Sequence, residues 1–320
     1  MREIAISRGL TGGDRRAWLR DNGVYVGIVV LVLVNVALSP SFLSERSLRL
    51  QFVQVVPVAI VALGMALVIG TRGIDLSVGS VMAIAAATLP IFLVHGPVAA
   101  IAVALVAGGI IGAINGSLVA FVGIQPIVAT LGMLVAGRGI ALVIAEGKLT
   151  EIFDPTLAAA GTGSLLGVPL VVWITLALAL VMSLLVSRTT FGRYVLSAGG
   201  NPVASMLSGI PARRTIIAVY VLSGILAAIA GVLATARIGA ADPSFLGNLI
   251  ELSAITAVVV GGTPLAGGRV RVLGTVAGAL LLQLITATLI RNNLSDSTSR
   301  MVAALIILGA VWLQRDRRAA

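Results

Sequence analysis

A polar segment from Ser187 to Arg214 carries the residues of this chain that are best suited to hold another molecule. It contains four arginines and no acidic residue. Asn201 is a strong N-cap residue type, and Pro202 suits the first helical position, where the missing N–H costs nothing. Gly209 fits the left-handed position after a helix end, and the proline two residues later prevents continuation. The spacing predicts a short helix over 202–207.

This predicted helix is too short to be stable by itself in water, so another element or molecule must pack on it. Ala204 and Ser205 are small residues, which suits insertion into a groove on a partner. Gly200 and Ile210 flank the helix on its two sides. Two interpretations stay open at this point: a docking site for a second protein, or an ordinary turn between two long helices.

The sequence shows no constellation of residues typical of catalysis or metal binding. It has no cysteine, which excludes disulfides, thiol nucleophiles and thiolate metal sites. The one histidine, His95, cannot anchor a zinc site alone. The sole lysine, Lys148, lacks the preceding glycine loop and the following Ser or Thr of a Walker A motif. We therefore expect no enzyme activity, no metal and no bound cofactor in this chain.

The composition predicts a protein that is embedded in a membrane. Hydrophobic residues make up 58%, charged residues make up 11%, and the mean hydropathy is +1.11. Soluble domains carry about 25% charged residues, so this chain lacks the polar surface that would cover a globule in water. The net charge of +10 is typical of the Lys and Arg excess in cytoplasmic loops. We expect membrane lipid around the chain and no nucleic acid as a partner.

Long apolar runs predict about ten membrane-spanning helices, because each crossing of the hydrocarbon core requires about 20 helical residues. The runs cover 22–39, 52–70, 80–96, 99–122, 126–145, 169–186, 215–234, 249–262, 273–291 and 300–314. The run 249–262 is short, and it fits either a crossing or a half-helix buried in protein. Gly108, Gly112 and Gly116 recur every four positions, which favours close packing of helix backbones. The predicted fold class is all-α, with residues 1–320 as a single transmembrane domain.

The distribution of basic residues predicts how the chain is oriented in the membrane. With the N-terminus in the cytoplasm and all ten runs crossing, 15 of the 22 Lys and Arg residues lie on the cytoplasmic side. Six lie outside, and Arg138 lies within a span. The expected cytoplasmic parts are the N-terminal tail 1–21, the loop 187–214 and the C-terminal tail 315–320. The first apolar run is expected to be an uncleaved span.

Neutral polar residues within the predicted spans indicate what could pass between the helices. Gln54, Asn115, Gln125 and Thr130 can exchange hydrogen bonds with a neutral polar solute such as a sugar. A hydrogen bond between helices also explains each of them singly. No carboxylate lies in the middle of a span, whereas transporters driven by protons or sodium usually need one for coupling. If the chain moves a solute uphill, the energy must come from a partner.

A glycine-rich turn connects the second and third predicted spans. Gly73 and Gly79 allow a tight backbone path in this turn. Arg72 and Asp75 are three residues apart on the predicted cytoplasmic side, and we expect them to pair. The turn is therefore expected to have a structural role.

Four segments form an ordered set of motifs: Gly73–Ser80, Gln125–Gly139, Phe191–Ile210 and Glu251–Gly268. In this order they resemble the permease subunits of ribose-type sugar transporters of the ATP-binding cassette (ABC) class. The second segment is similar to the branch that includes galactofuranose permeases. The third looks like the loop on which the ATPase docks in that family. The resemblance extends from about residue 24 to residue 314.

The resemblance implies a permease of the type II ABC importer-like fold in the bacterial inner membrane, with both termini in the cytoplasm. A cytoplasmic ATPase would bind ATP and Mg²⁺ and dock on the loop, so that this chain itself holds no cofactor. The residues implied in coupling are Gly200, Asn201, Ala204, Gly209 and Ile210. A soluble extracytoplasmic binding protein would deliver the monosaccharide. A second permease subunit, identical or paralogous, would complete the pore.

Two alternatives remain beside the monosaccharide importer. A stand-alone secondary carrier or facilitator of small neutral solutes would need no ATPase, and the polar loop would then be dispensable. An ABC permease for another small solute, such as a branched-chain amino acid, would keep the loop. A zwitterionic solute would favour paired charges along the path, and the spans offer none.

Overall fold

The computed structural model of the chain describes residues 12–39 and 41–292, together with residues 295, 297, 298, 301, 302, 304 and 305. Within this part, the chain forms twelve α-helices and four two-residue strands. The helices are α1 (Gly12–Leu38), α2 (Glu45–Gly70), α3 (Val78–Phe92), α4 (Pro97–Ser117), α5 (Pro126–Ile144), α6 (Pro155–Thr162), α7 (Leu170–Arg188), α8 (Thr190–Gly200), α9 (Pro202–Leu207), α10 (Ala212–Ile238), α11 (Ile250–Val260) and α12 (Val272–Arg291). The strands are β1 (Thr150–Glu151), β2 (Ser164–Leu165), β3 (Val168–Pro169) and β4 (Ala240–Ala241).

Apolar helices dominate this architecture. Seven are long and apolar enough to cross a membrane: α2, α3 with the short turn that extends it to His95, α4 with its extension to Val122, α5, α7, α10 and α12. Two shorter apolar helices cover Asn22–Leu38 and Ile250–Val260. Nine of the ten predicted spans therefore correspond to apolar helices, and of the tenth, 300–314, only residues 301, 302, 304 and 305 are described. The predicted class, an all-α polytopic membrane protein, is confirmed.

The core of the molecule lies around α10, which packs against α2, α3 and α4. Large side chains from these helices are fully buried, among them Leu63, Met82 and Tyr220. Helices α4 and α10 approach each other at glycines, as the spacing predicted. A Cβ on Gly112 would overlap the carbonyl oxygen of Tyr220, and a Cβ on Gly224 would overlap the carbonyl oxygen of Gly108. Backbone-to-backbone packing of this kind is typical of helices in lipid.

Helix α3 begins inside the bundle rather than at its surface, and we call it a half-helix for this reason. After α2 ends at Gly70, the chain runs back between the helices without regular structure over 73–75, and a turn at 76–77 leads into α3. A carboxylate oxygen of Asp75 accepts a hydrogen bond from the hydroxyl of Ser223 at 2.8 Å. Ser223 is 11 residues after the first residue of α10, which corresponds to about 16 Å along the helix axis. The start of α3 therefore lies well inside the bundle.

Helix α11 is a second half-helix, and it points the opposite way. Its end lies level with the end of α2, because Gly268 in the following turn donates a backbone hydrogen bond to Gly70 at 3.0 Å. Its start lies at the start of α3, where a Cβ on Gly79 would overlap the carbonyl oxygen of Gly247. The doubtful run 249–262 is thus a half-helix, and the segment before it completes the passage through the bundle. The N-termini of the two half-helices meet inside the protein.

The end of the molecule opposite α9 is closed by short connections. Strand β1 pairs antiparallel with β4, and strand β2 pairs with β3 in a tight hairpin. Arg138 of α5 donates to the carbonyl oxygens of Pro243 and Leu246 at 2.8 and 2.7 Å and so holds the loop that precedes α11. Exposed Lys148 bonds to Glu146 at 2.8 Å and lowers the pKa of that carboxyl group.

Candidate docking site and buried polar cluster

Helix α9 has the ends that the sequence predicts. The side-chain oxygen of Asn201 accepts a hydrogen bond from the backbone N–H of Ala204 at 3.0 Å, and Pro202 occupies the first turn. At the other end, Gly209 has a φ of 72°. Its N–H donates to Met206 at 3.1 Å, and the N–H of Ile210 donates to the carbonyl oxygen of Ser205 at 3.0 Å. This is a Schellman motif, which satisfies the last carbonyl groups of the helix.

The exposed face of α9 is apolar. Val203, Met206 and Leu207 are 68, 67 and 85% exposed, and Ala204 is exposed beside them. Ser205 is buried instead, and its hydroxyl donates to the carbonyl oxygen of Asn201 at 2.8 Å. The expectation that Ser205 faces a partner is wrong, because the helix turns this position towards the protein. A cluster of exposed apolar residues within a polar segment is typical of an interaction site.

Exposed basic side chains lie on the helices that precede and follow α9 in the chain. The four arginines of the segment are all exposed: Arg188, Arg193, Arg213 and Arg214. The guanidinium of Arg213 lies over the ring of Phe121, 5.9 Å from its centre. The segment contains no acidic residue, so the surface carries a positive potential that would attract an acidic partner surface.

Arg72 does not pair with Asp75. Its side chain binds the end of α8, directly before α9. Its Nε donates to the carbonyl oxygen of Gly199 at 2.5 Å, and its second terminal nitrogen donates to that of Gly200 at 2.6 Å. The expected pair of Arg72 and Asp75 is therefore wrong. The physical reason is that the chain reverses at Arg72, so that its side chain points to α8 while Asp75 is carried into the bundle.

A buried polar cluster lies beneath the docking site, and it consists of Asp75, Ser77, Asn115 and Ser223. One oxygen of Asp75 accepts from the backbone N–H and the hydroxyl of Ser77 at 3.0 and 2.6 Å. The amide of Asn115 donates to the hydroxyl of Ser77 at 2.8 Å. All four residues are at most 2% exposed. Together with the bond to Ser223, these contacts fix the start of α3 to α4 and α10.

The four residues predicted to line a path do not come together in the structure. Asn115 belongs to the polar cluster, and the hydroxyl of Thr130 donates to the carbonyl oxygen of Ile74 at 3.2 Å, so both support the turn before α3. The side chain of Gln54 accepts a hydrogen bond from Gln283 at 2.7 Å on another side of the bundle. Gln125 is exposed at the first turn of α5. Their role in a path stays a prediction.

The sequence analysis did not identify two buried polar residues that belong to this site. Ser223 lies directly before Gly224 in a long apolar run, and a polar residue in that position could have indicated a buried hydrogen bond. Glu251 is 5% exposed, and a Cβ on Gly79 would lie 2.7 Å from its carboxylate. This places the carboxylate at the first turn of α3, near the positive end of the helix dipole, with its Oε2 buried and without a hydrogen-bond partner among the described residues. Gly79 thus makes room for the contact between the two half-helices.

The described residues contain no group of three or more His, Cys, Asp or Glu side chains that could hold a metal ion. The features that stand out are an apolar helix bundle, two half-helices that meet inside it, and a capped surface helix at one end. Fold and site together define a multi-pass membrane protein of the permease class.

The chain belongs to the family described as the permease component of the branched-chain amino acid transport system, whose sequence pattern matches residues 49–311. It is 38% identical to the ribose import permease of Escherichia coli strain K12 over 310 residues, which cover 95% of this chain and 96% of that protein. It is 41% identical to the galactofuranose transporter permease of the same strain over 264 residues, 82% of this chain and 77% of the relative. The fructose import permease of Bifidobacterium longum strain NCC 2705 is 38% identical over 263 residues, 80% of this chain and 74% of the relative. No solved structure shows significant similarity.

These comparisons confirm the resemblance that the four motifs indicate. The relatives are named as permeases and transport proteins, and none of the three is named as an enzyme.

Proposed function

We propose that this chain is the membrane-spanning subunit of an ATP-driven importer of a monosaccharide, and that a separate cytoplasmic ATPase docks on α9. The observation that carries the proposal is the capped six-residue helix α9, which presents three exposed apolar residues between two long spans. The chain supplies the gate, and the ATPase supplies the energy through ATP and Mg²⁺ bound in its own sites. Docked ATPase halves would move the two α9 helices of a paired pore, and the bundle would open to alternate sides.

The names of the relatives support a sugar as the solute. Ribose import, galactofuranose transport and fructose import are the activities in the names of three relatives that match this chain over three quarters or more of its length. The described spans offer neutral amides such as Gln54 and Gln283, which suit a solute rich in hydroxyl groups. The family description names branched-chain amino acids, so these form the second candidate class.

The position of the arginines supports a cytoplasmic location of α9 and the bacterial inner membrane as the site of the protein. Arg72 and the four arginines of the 187–214 segment lie at the α9 end of the molecule. Cytoplasmic loops carry such an excess of basic residues. On this orientation the β1–β4 end faces a soluble binding protein that delivers the sugar, and a second permease subunit, identical or paralogous, packs beside this one.

Uptake measurements should identify the class of solute. In cells that produce this chain together with its ATPase and its binding protein, we expect uptake of labelled D-ribose, D-fructose or galactofuranose. We do not expect uptake of labelled leucine, because the names of the three relatives all refer to sugars. Accumulation of leucine without any of the sugars would contradict the proposal and favour the second class.

Leu207→Glu should separate this permease from its ATPase. A carboxylate at the most exposed apolar position of α9 cannot be buried in an interface without a large desolvation cost. We expect association to weaken by about 2–4 kcal/mol, the range for a central interface residue. Co-purification of the ATPase with a tagged chain and sugar uptake are the two measurements.

Phe153→Glu is the matched control, because Phe153 is 86% exposed and lies at the opposite end of the molecule. It should leave co-purification of the ATPase unchanged. Sugar accumulation by Leu207→Glu in the absence of a bound ATPase would show a stand-alone carrier and would overturn the docking proposal.

A further inference from the structure

Three backbone segments meet next to α9 at a contact that we call the glycine junction, formed by Gly70, Gly199 and Gly268. The N–H of Gly268 donates to the carbonyl oxygen of Gly70 at 3.0 Å. A Cβ on Gly199 would overlap that same carbonyl oxygen and would lie 2.7 Å from the nitrogen of Gly268. The three backbones can approach so closely only because none carries a side chain. The junction joins the end of α2, the end of α8 and the turn between α11 and α12.

Arg72 clamps the glycine junction from an unusual backbone conformation. The backbone N–H of Arg72 donates to the carbonyl oxygen of Ile69 at 2.9 Å. The backbone N–H of Gly73 donates to the carbonyl oxygen of Val68, also at 2.9 Å, and the two bonds together make a Schellman motif. The position that Arg72 occupies in this motif is normally a glycine, and its φ of 67° is unfavourable for any residue with a Cβ. A glycine would end the helix better, so the helix end does not explain the arginine.

The side chain of Arg72 supplies the explanation. Its guanidinium holds the carbonyl oxygens of Gly199 and Gly200, the last two residues of α8, and α9 begins two residues after Gly200. A Cβ on Gly267 would lie 2.6 Å from its Cγ, so the turn after α11 also packs on this side chain. The side chain of Arg72 is thus in contact with both the residues before α9 and the α11–α12 turn.

Both half-helices are attached to this clamp by short stretches of chain. Five residues after Arg72 the chain reaches Ser77, which precedes α3, and Asp75 on the way fixes the chain to Ser223 of α10. On the other side, Gly261 follows α11 directly and packs against Gly274 in the first turn of α12. A displacement of the residues before α9 would therefore reach the stretch that precedes α3 and the end of α11.

We propose, on the basis of the function proposed above, that Arg72 is the positioning residue that passes movement of α9 to the half-helices α3 and α11. Its two charge-assisted hydrogen bonds make the end of α8 and the end of α2 move as one body. Without them, the ATPase would still dock on α9, but the loop between α8 and α10 would bend and the movement of α9 would not reach α3 and α11.

Arg72→Gly is the decisive variant, because glycine fits the left-handed position and keeps the turn after α2 intact. We expect sugar uptake to fall about tenfold or more, because the loss of even one of its two charge-assisted hydrogen bonds changes an equilibrium by about this factor. The amount of ATPase that co-purifies should stay within about twofold of the wild type. Arg49→Ala is the matched control. Arg49 lies near the start of α2 and also donates to a backbone carbonyl, that of Thr162, at 3.4 Å.

A distance measurement tests the relay without relying on uptake. The chain contains no cysteine, so Val94→Cys and Phe245→Cys, at positions 77 and 74% exposed next to the two half-helices, accept two spin labels. In the purified complex with its ATPase, the distance between the labels should differ between the nucleotide-free and ATP-bound states. In Arg72→Gly this difference should disappear, while Arg49→Ala should retain it. Arg72→Lys keeps the charge but cannot bind both carbonyl oxygens with two nitrogens of one planar group. It should therefore retain only part of the nucleotide-dependent distance change.

Three results would overturn the relay. They are a nucleotide-dependent distance change in Arg72→Gly equal to that of the wild type, the lack of any such change in the wild-type complex, and loss of the ATPase from Arg72→Gly. The last result would make Arg72 a docking residue. The failure of the proposed function is distinct from all three, since in that case no ATPase co-purifies with the wild-type chain.

Discussion

Gly112→Ala is expected to destabilise the folded protein by about 3 kcal/mol, near the upper range for overpacking a buried site. A Cβ at this position would overlap the backbone carbonyl of Tyr220, and no side chain can move away to make room. Helices α4 and α10 would have to separate along their whole contact, which is the most extensive one in the bundle. Thermal unfolding of the protein in detergent, followed by size-exclusion chromatography, measures the effect.

Gly109→Ala is the control on the same helix. Its Cβ would meet only side chains, those of Ile225 at 3.5 Å and Val221 at 4.0 Å, which are ordinary contacts. We expect a change within about 0.5 kcal/mol, as for substitutions away from such features. Equal behaviour of the two variants would show that α4 and α10 do not approach each other at their glycines.

Asp75→Ala is expected to cost about 3 kcal/mol and to abolish uptake. The carboxylate accepts three hydrogen bonds from Ser77 and Ser223. Its removal leaves buried hydroxyl and N–H donors without an acceptor, and each unsatisfied group costs about 1–3 kcal/mol. The start of α3 would then lose its attachment to α10. Unfolding in detergent and sugar uptake in cells are the measurements.

Asp242→Ala provides a control with the same local geometry. Asp242 accepts from the backbone N–H of Ser244 at 3.0 Å, just as Asp75 accepts from Ser77, but this bond lies at the exposed end of the molecule. Water can replace the lost acceptor there, so the cost should stay below about 1 kcal/mol. A loss of stability as small as this in Asp75→Ala would mean that the polar cluster does not hold α3 in place.

The features that could be predicted from the sequence are those that depend on neighbouring residues. The ends of α9 follow from Asn201, Pro202 and Gly209, because caps and stops act over a few residues. The close packing of α4 follows from glycines repeated every four positions, although this pattern did not identify α10 as the partner helix. Nine apolar helices follow from hydropathy, since a span needs a minimum length of apolar chain. The role of α9 as a docking site remains a prediction.

The features that could not be predicted depend on contacts between distant parts of the chain. Sequence spacing suggested that Arg72 would pair with Asp75, but the left-handed backbone at Arg72 separates the two side chains. The acceptors that Arg72 finds are backbone carbonyls 127 and 128 residues away, which no side-chain pattern marks. The inward position of Ser205 likewise depends on how α9 sits on α8 and α10, and a helix of two turns offers too few residues to show its apolar face by periodicity.

The hydrogen bond between Asp75 and Ser223 has a consequence for biosynthesis. The two residues are 148 positions apart, and a ribosome adding about 5–20 residues per second needs roughly 7–30 s to cover that interval. During this time the stretch before α3 lacks its later neighbour, and its unpaired backbone groups cannot face acyl chains. The nascent chain must therefore keep the connection between α2 and α3 near water or an insertase until α10 is synthesised, and a ribosome stalled before α10 should leave a substrate for membrane proteases.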